Sequence, residues 1–161
     1  NAFFRVQSNI KWPNDIHISG KKVAGILTEA RMDADQTRDL VLGIGLNING
    51  RAEDWPEELQ TIATSIRQET GSQQDANRFT AALAGRVMLA YEQFVSDSYR
   101  GPLKEKWASY DALEGRNVSL FQGEAKIEGK ACGIDPHGAL IVERLDGSRI
   151  QVRAGEVTLE K

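Results

Sequence analysis

The stretch Lys11–Gly50, KWPNDIHISGKKVAGILTEARMDADQTRDLVLGIGLNING, decides the fold. It sets three irregular features inside an otherwise apolar β pattern: a W-P-N-D corner, a lysine feeding an A-G-I-L strand, and a G-I-G-L-N ending to the next strand. Local contradictions of this kind gather where a protein has a site. Pro13 cannot donate to a ladder and pushes Trp12 towards extended geometry, so the strand before it ends there. Asn14 and Asp15 suit a turn. Ile16-His17-Ile18 alternates as a short strand, and Ser19-Gly20 is a hairpin signal. Lys21 to Arg31 reads as a long strand, Asp33 to Thr37 as a polar loop, and Asp39 to Ile48 as a buried strand by its continuous apolar run. The sum is a β-meander of three or four strands, with Asn9-Ile10-Lys11 leading into its first corner.

Downstream the period changes. Asp54-Trp55-Pro56-Glu57 looks like a helix start capped by Asp54. Ile62 to Thr70 predicts a short helix stopped by Gly71. Asp75 caps the longest helix, whose stripe is Phe79, Leu83, Val87, Ala90, Tyr91 and Phe94, with Arg78, Arg86, Glu92 and Asp97 facing away. Gly101-Pro102 opens another helix, with the stripe Leu103, Trp107, Tyr110 and Leu113. These aromatics read as core.

From Gly115 the signal is β again. Short strands are expected at Asn117–Phe121, Ala125–Ile134, Ala139–Leu145, Ser148–Arg153 and Glu156–Leu159. Gln122-Gly123, Asp135-Pro136-His137-Gly138 and Asp146-Gly147 are the turns between them. Short antiparallel strands packed so closely suggest a small barrel of the SH3-like type, too small to be independent of the helical part. The expected fold is α+β: an antiparallel meander with helices over 1–113, then the small barrel over 114–161.

Composition narrows the function classes. The chain has 161 residues, 40% hydrophobic and 27% charged, enough for a packed core. A net charge of −3 with interspersed signs argues against a general nucleic-acid or anionic-membrane binder. The single cysteine, Cys132, excludes a disulfide framework, and His17 and His137 have no ligand-type spacing. No apolar run approaches membrane-span length and no signal peptide is visible, so the default setting is cytoplasmic. The chain begins at Asn1 rather than Met, which points to an excised piece or a processing scar.

The chemistry of the opening stretch follows from strand geometry. Neighbouring side chains point to opposite faces, so Lys21 and Lys22 divide between the two faces of the sheet. A lysine aimed at an interior face is costly unless it meets an anion. Gly25 removes a side chain, and Gly43 and Gly45 open one face of the adjacent strand, with Asn47 continuing the row. Together they describe a groove of bare backbone, one ammonium and one amide, suited to a planar or extended ligand carrying a carboxylate or phosphate. Other readings stand beside this one. The lysines can be solvated hairpin charges, the glycines bulges or packing sites, and Asn14 and Asp15 turn-formers only. G-I-G-L-N lacks the third glycine and the helix of a dinucleotide fingerprint.

Ile10 to Glu29 (IKWPNDIHISGKKVAGILTE), followed by Gly43 to Asn47 (GIGLN), resembles the biotin–protein ligase family in order, spacing and strand setting. IATSIRQETG at Ile62 to Gly71, the long helix and the terminal small barrel fit the same pattern. The resemblance implies part of a class II synthetase-like catalytic domain followed by the barrel. It implies an enzyme that uses ATP and Mg²⁺ to convert biotin into biotinyl-5′-adenylate and pyrophosphate. It then passes biotin to a lysine of a biotin carboxyl carrier protein or domain. Lys22 matches the family's active-site lysine, whose charge would meet the carboxylate and α-phosphate. By the same resemblance Gly25, Ile26, Gly43 and Gly45 would admit biotin or its adenylate. Asn47 would contact the nucleotide, Asp15 would orient the incoming lysine or the metal-bound phosphates, and Asn14 and Trp12 would shape the wall. No metal ligand is expected from the chain itself. The family's upstream Gly/Arg-rich loop and its serine, threonine and glutamine contacts to biotin have no counterpart here. A C-terminal fragment with little activity of its own is therefore expected.

Two alternatives are a lipoate–protein ligase, which shares the fold and a lysine, and a non-catalytic interaction module built on the small barrel. An incomplete sheet also exposes an edge, so a homodimer is expected through that edge or through Phe3 and Phe4. A clean monomer in sedimentation at high concentration would count against it.

Overall fold

The computed structural model describes residues 6–33, 36–97, 102–123 and 125–159; Phe3, Phe4 and Gly101 lie outside them. Strand β1 (Ser8–Lys11) runs into a cis Trp12–Pro13 peptide, and β2 (Asp15–Ile18) follows the corner. Ser19 and Gly20 both take positive φ, 51° and 79°, the pair of left-handed residues a two-residue hairpin turn requires. They lead into β3 (Lys21–Asp33), which pairs antiparallel with β4 (Gln36–Leu46). β2, β3 and β4 are neighbours in that order. The meander is thus as expected, except that β4 begins within the predicted loop and ends two residues early.

The chain parts into two compact units, 6–8 with 14–79 and 9–13 with 80–159. In the first, Ile18, Val23, Ala24 and Ile66 form the core, with Val6, Ile16, Leu46 and Phe79 packed against it. The apolar run of β4 is not buried as its pattern implied: Leu40, Val41, Leu42 and Ile44 are all exposed. The strand register explains which face each occupies. Leu42 and Ile44 stand opposite Thr28 and Ile26, whereas Val41 and Gly43 stand opposite Glu29 and Leu27 on the other face.

A 3₁₀ turn at Ala52–Asp54 and a short α1 (Glu57–Gln60) take the place of the single helix start predicted at Asp54. Asp54 instead accepts from the Arg51 backbone N–H. Helix α2 covers only Ile66–Thr70. Ser65 caps it by accepting from the Gln68 N–H at 3.2 Å, and Gly71 ends it in the left-handed region, φ 70°. Ile62 to Thr64 stays out of the helix because β3 holds its backbone. The Lys22 N–H donates to the Ile62 carbonyl at 2.8 Å, and the Thr64 N–H donates to the Lys22 carbonyl at 2.9 Å.

Helix α3 (Ala76–Asp97) starts as predicted, with Asp75 accepting from the Arg78 N–H at 3.0 Å. Its early stripe, Phe79, Leu83 and Val87, is partly buried, whereas Tyr91 and Phe94 are exposed. Helix α4 (Pro102–Tyr110) follows. Among the described residues no helix is long and apolar enough to cross a membrane.

The second unit carries β5 (Asn117–Gln122), β6 (Ala125–Ile134), β7 (Leu140–Glu143), β8 (Arg149–Val152) and β9 (Val157–Leu159), close to the expected boundaries. They form one antiparallel sheet in the order β8-β7-β6-β5-β9. The expected barrel is not found closed: no ladder joins β8 to β9 among the described residues. Alternation puts Val118, Leu120, Ile127, Ala131, Leu140, Val142, Val152 and Val157 inside, joined by Leu113 and Trp12. Ile10 in β1 bridges to Asp111, and its carbonyl accepts from the Ala112 N–H at 2.8 Å, which ties the Trp12 segment to this unit.

Candidate active site

Strict alternation would place Lys22 and Gly25 on opposite faces of β3. A bulge overrides it. Asp15 pairs with Gly25 and Ile16 with Ala24, but His17 then pairs with Lys22, so β3 spends an extra residue at Val23. The slip brings Lys22 round to the face of Asp15 and His17. The outcome is a contact: Lys22 Nζ lies 2.7 Å from Asp15 Oδ1. Lys21, opposite Ile18, is turned elsewhere, and its Nζ donates to the Gln60 carbonyl at 3.3 Å.

Gly25 makes room for this pair. A Cβ on it would sit 3.3 Å from Lys22 Cε, 3.4 Å from Nζ and 3.5 Å from Asp15 Oδ1. Any side chain there would push against the ammonium. Gly45 stands directly opposite Gly25, and Gly43 opposite Leu27. Cross-strand partners share a face, so Gly25, Gly43 and Gly45 form one strip of bare backbone beside the ammonium. The Lys22 side chain is 49% exposed and that of Asp15 21%. An ion pair this open adds at most about 1 kcal/mol to stability, so its consequence is position rather than folding energy. Lys22 keeps two further N–H donors for an incoming oxyanion.

Asn14 and Asn47 are both fixed, by different means. The Asn14 side chain donates to the Ile26 carbonyl at 2.8 Å, while its own carbonyl accepts from the Ile26 N–H at 2.9 Å. Asn14 is thereby clamped to the middle of β3. The Asn47 N–H donates to the Val23 carbonyl at 2.9 Å and its side-chain amide to the Thr64 carbonyl at 3.1 Å. That leaves the Asn47 side-chain oxygen as an acceptor. Thr64 and Ser65, both buried, brace this corner. Ser65 Oγ donates to the Gly50 carbonyl at 2.6 Å, and Thr64 Oγ donates to Glu69 at 2.6 Å. Glu69 also accepts from Ser19 Oγ at 3.0 Å, which pins the hairpin turn that presents Lys22.

Of the residues singled out in the sequence, Asp15, Lys22, Gly25, Gly43 and Gly45 come together on one face, with Ile26 in β3, Asn14 in the turn just before β2 and Asn47 just past the end of β4. Trp12 is placed differently. It belongs to the second unit, is 3% exposed, and its indole N–H donates to the Gly138 carbonyl at 2.9 Å. One neighbour was missed in the sequence. His17 Nε2 lies 3.9 Å from Asp15 Oδ2, and its Nδ1 lies 3.2 Å from the Gly20 carbonyl. The i, i+2 relation to Asp15 on a strand was the available signal. No group of three or more His, Cys, Asp or Glu able to hold a metal occurs among the described residues.

Two family descriptions match the chain: Biotin/lipoate A/B protein ligase family over residues 4–47, and Biotin protein ligase C terminal domain over residues 115–159. The bifunctional ligase/repressor BirA of Bacillus subtilis is 39% identical over 145 residues, covering 88% of this chain and 43% of the relative. The biotin–[acetyl-CoA-carboxylase] ligase of Paracoccus denitrificans is 34% identical over 150 residues, covering 92% and 61%. Among solved structures, the Aquifex aeolicus biotin protein ligase in complex with biotin and ATP superimposes with a TM-score of 0.78 at 30% identity. It covers 96% of this chain and 62% of that one. The chain thus spans roughly half the length of the curated relatives it matches.

Proposed function

Since the chain belongs to the biotin protein ligase family, we propose that it supplies one wall of a biotin-adenylating site whose charged group is Lys22. The observation that carries this reading is the Lys22–Asp15 contact at 2.7 Å over the bare backbone of Gly25. In the reaction, a carboxylate oxygen of biotin attacks the α-phosphorus of ATP and pyrophosphate leaves. The amine of a carrier lysine then attacks the acyl carbon, AMP leaves, and the amine sheds a proton. Negative charge grows on the non-bridging α-phosphate oxygens in the first step. A pre-positioned ammonium stabilises that charge more than it does the ground state. Asp15 holds the ammonium in place and is near enough to orient the incoming amine. Gly25, Gly43 and Gly45 let a flat ligand lie against main chain, with Ile26 in the strand that frames it. The free oxygen of Asn47 suits a nucleotide hydroxyl or amine, and Asn14 fixes the wall. Mg²⁺ would arrive on the nucleotide phosphates, whose oxygens are its usual ligands in nucleotide-using sites.

The match of residues 115–159 to a biotin ligase C-terminal domain favours biotin over lipoate. The carrier is a protein lysine of the kind the Paracoccus relative's name denotes, on an acetyl-CoA carboxylase. The small β domain is read as SH3-like and as accessory to the catalytic part. Among the described residues no strand pairs with the outer edge of β4, and Leu40, Leu42 and Ile44 are exposed beside it, which supports edge pairing with a second copy. Residues 1–161 carry about half the length of the ligases they match, so the chain alone is expected to show no pyrophosphate release with biotin and ATP. Joined to the preceding part of a relative, it should release pyrophosphate with biotin and not with lipoate. Normal turnover by residues 1–161 alone would refute the one-wall assignment, and preference for lipoate in the joined protein would refute the substrate.

A further inference from the structure

A cavity in the second unit has no part in the ligase reading. His137, Gly138 and Ala139, from the turn between β6 and β7, and Arg153, just past β8, line a space of about 260 Å³. That is several times the ~30 Å³ share of one water in the liquid, enough for a small hydrated oxyanion.

The turn is stiff. Asp135 is 7% exposed, and its Oδ1 accepts from the backbone N–H of His137 at 2.7 Å and of Ala139 at 2.9 Å. The Asp135 N–H donates to the Ala139 carbonyl and the Gly138 N–H to the Asp135 carbonyl. Gly138 takes φ +83°, and its carbonyl is held by the Trp12 indole. A turn tied at this many points keeps its shape when a ligand arrives, which lowers the entropy cost of binding.

The lining carries two nitrogen-bearing side chains and no carboxylate of its own. His137 and Arg153 are both exposed, and neither side chain makes a hydrogen bond or ion pair with another described residue. Asp135 is close enough to feel both. Its carboxyl is held below the ordinary carboxylate range, chiefly by the Ala139 N–H, against burial, with further help from the His137 N–H and the charges of His137 and Arg153. Its Oδ1 is taken by two backbone N–H groups, and no hydrogen bond or ion pair joins it to either side chain. Arg153 brings five guanidinium N–H donors to this lining, none of them bonded to an acceptor among the described residues, and a planar fork of this kind matches a carboxylate or phosphate.

We propose that this cavity is an oxyanion site for a phosphate or carboxylate group, with Arg153 as the paired donor and His137 as a second donor. The proposal is independent of the ligase reading.

Inorganic phosphate and, separately, acetate should be titrated into the ¹⁵N-labelled 161-residue chain at constant ionic strength, following the amide and arginine Nε–H resonances. The expected result is a saturable shift confined to 135–139 and 152–154, with a Kd on the order of 1 mM. Arg153→Gln should weaken it about tenfold or more, and Arg153→Lys, which keeps the charge without the fork, should fall between. A response to phosphate alone identifies a phosphate site, and a response to acetate alone a carboxylate site. No saturable shift with either anion would overturn the proposal, as would unchanged binding in an Arg153→Gln variant whose remaining spectrum matches the parent.

Discussion

Lys22→Ala, placed in a full-length ligase containing this segment, is expected to lower biotin-dependent pyrophosphate release by about 10²- to 10³-fold. Lys21→Ala should change it by less than about tenfold. The difference follows from the bulge at Val23. Two adjacent lysines of equal charge are separated by it into one that meets Asp15 over Gly25 and one that donates to the Gln60 carbonyl. The loss should fall mainly on kcat, because the ammonium acts on charge that develops in the transition state. Gly25→Val should reproduce part of the defect, since a side chain there displaces the ammonium and a misplacement of ~1 Å can cost about 10²-fold. Steady-state kinetics on the three variants checks this. Equal losses for Lys21→Ala and Lys22→Ala would mean that the pair acts only as local positive charge.

The largest expected effect on stability lies in the second unit. Gly129→Ala should destabilise it by about 3 kcal/mol. Gly129 lies between Ile127 and Ala131 on the inward face of β6, where β7 passes close by. A Cβ there would run into the Glu143 main-chain carbonyl and lie 2.8 Å from Cγ1 of Val142, which is itself 0% exposed. Neither neighbour is the free end of a flexible side chain, so neither can give. Gly85→Ala is the control. Nothing lies within 4 Å of a Cβ at Gly85, and it is a helical position where alanine is favoured by about 1 kcal/mol. Trp12 and Trp107 both pack in the affected core and report its unfolding in urea by fluorescence. The midpoint should fall for Gly129→Ala and hold or rise for Gly85→Ala. An unchanged midpoint for Gly129→Ala would show that β6 and β7 can part without cost.

How much of this was legible in the sequence varies with the physical cause. The strands after Gly115 were readable because turn residues such as Asp146-Gly147 and Asp135–Gly138 fix where each strand stops. The Ser19-Gly20 hairpin was readable for the same reason. The facing of Lys22 was not. Alternation leaves the two lysines symmetric, and only a register slip against β2 tells them apart. The pattern of Ile62–Thr64 predicts helix, but it cannot reveal that Lys22 takes the backbone hydrogen bonds of this segment. The run Leu40–Ile44 looks like a buried strand in composition, yet in this chain its side chains are exposed. Trp12 gave a signal of importance without its reason: the corner it begins belongs with Asp15, while its indole is packed with Leu113 and Val142. The role proposed for Lys22 rests on the combined motif, since one lysine in a hairpin carries no such information alone.

The most direct test is to label the lysine side chains of the full-length ligase with ¹⁵N and titrate in a non-hydrolysable biotinyl-adenylate analogue. The Lys22 ammonium signal should shift and slow its exchange with water as the acyl-phosphate oxygens join Asp15 around it, while the Lys21 signal stays in place. A complex in which the analogue binds but Lys22 does not respond, or Lys21 responds instead, would contradict the assignment of Lys22 as the charged group of this wall.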